Sequence, residues 1–203
     1  MNRYLKNFYD YNCSSDILTT LTPINNLEKE ITEAMGVLQI AKSYILKDHN
    51  ITVIDICAGN GLSGILCNYI LKPKYIYAYD IRKLNRHIEN IKNYEYIQMD
   101  IFKKNIEYHL ESIKTPILII GVHACQDLSV RIVDIFNNIQ NENKNIILMP
   151  CCTIGTNLPY VVKEKLGKYL SYTYYLQQKI KTKTNIKEDK NILSPKNYII
   201  YSI

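Results

Sequence analysis

The chain has 203 residues, a hydrophobic fraction of 47% and a formal net charge of +6. It has no apolar run of the ~18 residues that a membrane span needs, and no apolar stretch of signal-peptide length follows its N-terminus. We therefore expect neither a membrane protein nor a secreted one. Its six cysteines are irregularly spaced and do not indicate a disulfide framework. The sequence predicts one domain of ordinary size in the reducing cytoplasm.

An amphipathic helix is predicted over residues 27–46, because apolar residues recur there every three or four positions. With the segment before it, this helix forms a predicted N-terminal helical cap, residues 1–48. Residues 49–203 form the rest of the same predicted domain, in which strands and helices alternate. The predicted strands are 51–56, 75–80, 94–98, 117–122 and 146–149. The predicted helices are 62–71, 84–92, 104–113, 127–140 and 158–170. Uninterrupted apolar runs between helices indicate parallel strands that are buried on both faces.

The end of the chain departs from this alternation. Tyr172–Leu176 is predicted as a strand, residues 179–191 as a polar, lysine-rich loop, and Tyr198–Ile203 as a final strand. Two strands joined by a loop without a helix pair antiparallel. The predicted fold class is α/β, with a seven-stranded, mostly parallel sheet whose last strand is antiparallel.

A glycine turn follows the first predicted strand. Gly59 and Gly61 can adopt backbone angles closed to other residues and let a ligand approach the main chain. Asp80 ends the second strand, where a carboxylate can accept hydrogen bonds from two ribose hydroxyls; capping the strand end is its alternative role. This order of strand, glycine turn, helix, strand and acid is typical of a site for an adenosine-containing cofactor.

Asp55 favours one such cofactor over another. A carboxylate inside the turn would repel the pyrophosphate of a dinucleotide. S-adenosylmethionine (SAM) instead carries a cationic amino group and no phosphate. The antiparallel last strand and the lack of room for a separate substrate domain favour the same choice, so SAM is the expected cofactor.

From about residue 50 to the end, the sequence resembles the class I SAM-dependent methyltransferases. The resemblance rests on the terminal strand pair and on Asp55–Gly61, Asp80 and Asp100. It implies a Rossmann-like fold, with Asp100 at the adenine amino group and Ile101 beside the ring; a helix N-cap is the alternative role of Asp100. Cys57 departs from the glycine that the family usually has. The predicted cofactor-binding residues are Asp55, Cys57, Ala58, Gly59, Asn60, Gly61, Asp80, Ile81, Asp100, Ile101 and His123.

A second motif, Gly121–Ser129, follows the fourth strand. It is similar to the His-x-Cys-Gly…Asp signature of a methyltransferase subfamily that includes transfer-RNA ribose methyltransferases, with Gln126 in place of the glycine. Pro150-Cys151-Cys152 and Ser194–Asn197 resemble later segments of the same subfamily. The candidate catalytic residues are His123, Cys125, Asp127 and Cys151.

Each of these candidates has an alternative role. His123 is either a general base or a side chain that holds its loop by bonding to the backbone. Asp127 is more readily the N-cap of the next helix than a catalytic group. Cys125, Cys151 and Cys152 are small buried hydrophobes, metal ligands together with His123, or a source of a thiolate nucleophile. Because the chain has no Cys-x-x-Cys pair, the sequence assigns no metal.

RNA, and transfer RNA in particular, is the preferred methyl acceptor on the resemblance and the positive charge. The lysine-rich segment 179–187, with Arg82, Lys83 and Arg86, either lines the rim of the site and holds phosphates or is simply solvated. A compositional bias toward lysine explains the charge equally well. The other interpretations are a protein or small-molecule acceptor and a SAM-binding module without turnover, and the sequence leaves protein partners unknown.

Overall fold

The computed structural model describes residues 1–21, 23–84, 88–103, 105–153 and 160–203. Helices α1 to α7 are Arg3–Tyr9, Ser14–Leu21, Leu27–Ile45, Leu62–Leu71, Asn105–Ser112, Asp127–Asn138 and Tyr160–Lys179. Strands β1 to β7 are Thr52–Ile56, Tyr75–Asp80, Tyr94–Gln98, Ile117–Val122, Lys144–Met149, Thr184–Glu188 and Tyr198–Ser202. Within the described ranges, no helix is long and apolar enough to cross a bilayer.

The strands form one seven-stranded sheet in the order β3-β2-β1-β4-β5-β7-β6. The first five pair in parallel, whereas β7 runs antiparallel to both β5 and β6. The predicted α/β fold with an antiparallel last strand is confirmed. The parallel strands therefore bring their carboxyl ends to one edge, and both predicted motifs lie there because each directly follows a strand.

Successive strand residues face opposite sides of the sheet, which divides the core into two layers. Val53, Leu118 and Ile147 face the layer formed with α1, α2, α3 and α4. Ile54, Ile119 and Ile146 face the layer formed with α5, α6 and α7. The N-terminal helices thus pack on the same side of the sheet as α4, where α3 covers the end of the sheet that carries the motifs.

Two predictions about the chain's last third are wrong. Residues 172–176 belong to α7, because burial of Tyr172, Leu176 and Ile180 continues at helical spacing. The predicted loop contains β6, an exposed edge strand whose polar residues and Lys187 discourage pairing with another chain. α7 is interrupted at Gly167, whose φ of 73° lies in the left-handed region.

The helix predicted over residues 84–92 is also not observed in the part of this range that the structure describes. Residues 85–87 lie outside the described residues, and 88–92 form turns that lead into β3. Residue 104 and residues 158–159 of two other predicted helices lie outside the described residues as well. The remaining parts of those helices are present as α5 and α7.

The first helix is held to the segment between β6 and β7. The Tyr4 hydroxyl donates to the Asp189 carboxylate at 2.5 Å, and the Asn2 amide donates to the Asn191 carbonyl at 2.8 Å. The Leu193 N–H donates to Thr32 of α3 at 3.1 Å. Burial alone would raise the pKa of Asp189, but the bonds from Tyr4 and Lys187 hold it below its ordinary value.

Replacing Tyr4 by phenylalanine should lower the free energy of unfolding by about 1–3 kcal/mol, because the buried Asp189 carboxylate loses a hydrogen-bond donor. Tyr9→Phe is the matched control, since Tyr9 lies in the same helix with 49% of its surface exposed. Urea unfolding of both variants measures the difference. Equal stabilities for the two variants would contradict this role of Tyr4.

Candidate active site

The glycine turn leaves β1 through three residues with left-handed backbone angles. Cys57, Gly59 and Gly61 have φ values of 62°, 61° and 81°. A side chain at Gly61 would meet the Tyr94 hydroxyl at 2.5 Å, so the turn needs glycine there for space as well as for its angle. Cys57 adopts a conformation that favours glycine, which explains why a cysteine is unusual at this position.

Asp80 fixes the turn against the end of β2. Its Oδ2 accepts the Gly59 N–H at 2.9 Å, and its Oδ1 accepts the Arg82 N–H at 2.9 Å and the Arg82 Nε at 3.0 Å. Burial would raise the pKa of Asp80, yet these bonds lower it overall. The carboxylate is therefore ionised and poised to accept further donors, and the Arg82 side chain, 68% exposed, can be displaced by them.

The start of α4 is already bonded to the chain's own side chains. The Leu62 N–H donates to Asn60 at 3.0 Å, and the Gly64 N–H donates to Asp55 at 3.0 Å. A pyrophosphate at a helix N-terminus requires such N–H groups to be free. This arrangement disfavours a dinucleotide, as the sequence suggested. The reason is that the N–H groups are already occupied, in addition to the repulsion between Asp55 and a pyrophosphate.

Asp55 lies beneath the turn and not on a cavity wall. Only 1% of its surface is exposed, and burial raises its pKa to about 7. The direct contact with a cationic amino group that the sequence suggested is not what the structure shows for this side chain. Asp55 instead holds α4 in position through the Gly64 N–H.

A cavity of about 500 Å³ opens between the ends of β2, β3 and β4, a volume suited to a nucleoside. Asp80 lies on its wall, and Met99, Ile101 and Phe102 provide apolar surface. Asp100 also lines it and accepts the Phe102 N–H at 3.0 Å, which forms a turn rather than an N-cap of α5. The remaining wall is formed by Cys57, Ile81, Arg82, His123, Cys125 and Leu128.

A second cavity, of about 350 Å³, adjoins the first beneath α3. The two share Cys57, Arg82, His123 and Cys125, so they meet at the ends of β1 and β4. Ala58, Gly59 and Asn60 of the turn line the second cavity. Among the predicted cofactor-binding residues, only Asp55 and Gly61 line neither of these cavities.

Helix α3 contributes a buried carboxylate beside His123 that the sequence analysis missed. Glu33 Oε1 lies 2.6 Å from His123 Nε2 and 2.9 Å from Lys29 Nζ. Burial would raise the pKa of Glu33, but His123 and Lys29 lower it overall, so it is ionised. A carboxylate inside the apolar stretch 31–38 was the available signal. This contact places the Glu33 carboxylate against the His123 ring at the junction of the two cavities.

The loop after β4 contains two strained residues. His123 and Gln126 have φ values of 55° and 50°. The His123 N–H donates to the Met149 carbonyl at 2.8 Å, and the Tyr172 hydroxyl donates to the Gln126 carbonyl at 2.7 Å. Gln126 stands where the signature has glycine, and these bonds hold the loop in a shape that glycine would adopt more easily.

The remaining catalytic candidates separate into two groups. Cys125 and Cys151 lie together on the cavity wall, with Cys152 beside them. Asp127 is exposed in the first turn of α6 and lines neither cavity. Gln126 occupies the N-cap position, so Asp127 is not the N-cap but acts on the helix dipole from inside the first turn.

The lysine-rich segment does not line the site. Thr184 pairs with Ser202, and the Lys183 carbonyl accepts the Ile203 N–H, which places the start of β6 at the opposite end of the sheet. Lys181 of this segment lies near Lys144, at the start of β5, because burial and then the charge of Lys181 lower the pKa of Lys144. Lys187 instead binds Asp189 at 3.0 Å. Arg86 lies outside the described residues. Of the described members of this set, only Arg82 lies on the walls of the two cavities.

Residues 28–156, more than half of the chain, match a family model described as a methyltransferase domain. The chain therefore belongs to this family, and the prediction of a methyltransferase is confirmed. A search of curated protein sequences found no significant match.

Solved structures share the fold at low sequence identity. A mutant of MtNAS in complex with S-adenosylmethionine is 10% identical with a TM-score of 0.55, over 97% of this chain and 68% of that one. An rRNA methylase from Streptococcus thermophilus is 13% identical with a TM-score of 0.50, over 81% and 94%. Human N-acetylserotonin methyltransferase in complex with SAM is 14% identical with a TM-score of 0.50, over 99% and 62%. These identities establish a common fold alone.

The buried Asp55 should make stability depend on pH. Its pKa rises from 3.8 to about 7 on folding, so its contribution to stability is lost as pH increases through that range. Asp55→Asn can still accept the Gly64 N–H but does not ionise. The variant should gain stability over the wild type as pH rises, by a few kcal/mol once Asp55 is fully ionised.

Urea unfolding at pH values of about 5 and about 8 measures this difference. Asp134→Asn, on the exposed face of α6, is the control and should show no such gain. A difference between Asp55→Asn and wild type that does not change with pH would contradict the assignment.

Proposed function

We propose that the chain transfers a methyl group from SAM, whose adenosine part would lie in the cavity of about 500 Å³. The observation that carries this proposal is the ionised Asp80 carboxylate on the wall of an apolar, nucleoside-sized cavity. Beside it, the N-terminus of α4, where a phosphate would bind, already donates its Gly64 N–H to Asp55. Asp80 would accept the ribose hydroxyls. Asp100 and Ile101 would face the adenine, as the resemblance implies.

The cavity beneath α3 suits the methionine part of the cofactor. Glu30 and Glu33 line it, together with the main chain of the glycine turn. Burial raises the pKa of Glu30, so a cationic amino group nearby would favour its ionised form. We assign Glu30 the role that the sequence gave to Asp55.

Catalysis would depend mainly on position. Bound SAM supplies an electrophilic sulfonium methyl, so the protein has to align the acceptor and exclude water. His123 lies where the cavities meet, and its ring is oriented by Glu33. We assign neutral His123 the role of general base for the acceptor, through the ring nitrogen that does not face Glu33, with Glu33 as its positioning residue.

Asp80→Asn should weaken SAM binding about 10- to 100-fold, because a neutral amide replaces the charged acceptor for the ribose. Isothermal titration of the purified protein with SAM measures the affinity. Asp134→Asn removes one carboxylate from an exposed helix position and should bind as the wild type does. Unchanged affinity in a folded Asp80→Asn protein would remove the ribose role.

We infer that the acceptor is RNA, and transfer RNA in particular. The net charge of +6 supports attraction to a polyanion. Lys29 lines the second cavity, and the exposed Lys83 directly follows Arg82 of the first cavity, so both would meet such a polyanion. A ribose hydroxyl would need a base such as His123, in keeping with the resemblance of residues 121–129 to transfer-RNA ribose methyltransferases.

Labelled SAM incubated with separate transfer-RNA, ribosomal-RNA, protein and metabolite fractions should label the transfer RNA. His123→Gln should slow labelling about 100-fold or more while SAM affinity stays within a small factor. His49→Gln is the control, because His49 lies in an exposed loop that binds the Lys72 carbonyl.

Label that enters only protein or metabolites would overturn the RNA assignment and leave the methyltransferase assignment intact. Affinity for transfer RNA should also fall steeply as salt increases. SAM binding without label in any fraction would favour a binding module without turnover.

A further inference from the structure

Three cysteine thiols converge beside the cofactor cavity from the ends of two strands. Cys125 follows β4, whereas Cys151 and Cys152 follow β5. Cys125 Sγ lies 2.7 Å from Cys151 Sγ and 3.4 Å from Cys152 Sγ, and all three sulfurs lie within 4.8 Å of one another. The parallel pairing of β4 with β5 brings them together, although Cys151 lies 26 positions after Cys125.

Packing does not account for this cluster. Cys151 is buried, as a small apolar side chain would be, but Cys125 and Cys152 are both exposed. The Cys125 and Cys151 thiols also share one acceptor, the His123 carbonyl, at 3.5 Å and 3.2 Å. One ion placed between the thiols would bind three sulfurs at once.

We propose that Cys125, Cys151 and Cys152 form a binding site for one thiophilic divalent metal ion, with zinc as its representative. Three thiolates satisfy most of the tetrahedral shell that zinc prefers. Each thiol loses its proton to solvent on binding, so up to three protons are released for each ion. Within the described parts of the chain, no fourth ligand side chain joins this group. The remaining position is left for solvent or a ligand in the cavity that Cys125 and Cys151 line.

The geometry needs only a small adjustment. Zinc–sulfur bonds of about 2.3 Å in a tetrahedral arrangement place the sulfurs about 3.8 Å apart. The Cys125–Cys152 separation of 3.4 Å is near this value, and the Cys125–Cys151 separation of 2.7 Å must open by about 1 Å. Rotation of the exposed Cys125 side chain can supply that change.

A disulfide between Cys125 and Cys151 is the competing interpretation. It would require an oxidant, and it would leave the proximity of Cys152 unexplained. The two interpretations differ in a reduced protein, where a disulfide cannot form but a metal can bind. The test therefore uses the full chain, fully reduced and metal-free.

Cobalt(II) titration of this protein should give the absorption of a tetrahedral thiolate complex that saturates at one ion per chain, and added zinc should displace the cobalt. Zinc should also protect the three thiols from a thiol-specific reagent and release protons in proportion. Cys152→Ser and Cys125→Ser should each weaken zinc binding about tenfold or more.

Cys13→Ser is the matched control, because Cys13 is a free cysteine that precedes α2 and lies outside the cluster. It should bind zinc as the wild type does. Circular dichroism establishes that each variant is folded. Substitution of the buried Cys151 can prevent folding, so the test relies on the variant at the exposed Cys152.

Three results would overturn the proposal. They are cobalt spectra without thiolate ligation, zinc affinity unchanged in folded Cys152→Ser, and binding lost equally in Cys13→Ser. Formation of a Cys125–Cys151 disulfide in air together with no zinc binding by the reduced chain would assign the pair to redox chemistry instead.

Discussion

The carboxylate of Asp80 holds the site together. It joins the end of β2 to the Gly59 N–H and to Arg82, and the shape of the glycine turn depends on this junction. Asp55 supports the other side of the turn from below, through the Gly64 N–H. The turn is thus fixed between two carboxylates, one exposed to the cavity and ionised, the other buried. This division explains why two aspartates so close in the fold have pKa values that move in opposite directions.

Helix α3 turns the edge of the sheet into an enclosed site. A Rossmann-like sheet provides the ends of its strands, but the cavity beneath α3 exists only because this helix covers them. Glu33 reaches from the helix to His123 at the end of β4, and Lys29 neutralises part of its charge. Moving the helix would separate the buried Glu33 carboxylate from both His123 and Lys29, so the position of the helix and the surroundings of His123 are coupled.

The sheet could be predicted from sequence because each parallel strand is a short apolar run bounded by turns or helices. The glycine turn and Asp80 were predictable because their spacing is set by one strand, one helix and the next strand. Residues 172–176 were predicted as a strand because tyrosine and threonine favour strands locally. Burial against α6 and the sheet selects a helix instead. The β6 strand was not predicted because its lysine-rich sequence indicated a loop, although lysines are also common on the edge strands of sheets.

Two features of the site could not be predicted from the sequence, for one reason. Sequence order places Asp55 in the turn but does not tell that its side chain points beneath α4. Likewise, nothing local connects Glu33 with His123, which lies 90 positions later in the chain. Contacts of this kind depend on how helices dock, and no pattern of spacing in a single sequence specifies them.

The bonds of Tyr4 and Asn2 to the segment before β7 link the first helix to the last part of the chain. During synthesis, the first helix leaves the ribosome long before its partners exist. Its apolar face, with Leu5 and Phe8, stays uncovered by that segment until the segment itself has been synthesised. A ribosome that stalls before β7 would therefore hold a chain whose N-terminal layer is unfinished and open to chaperones.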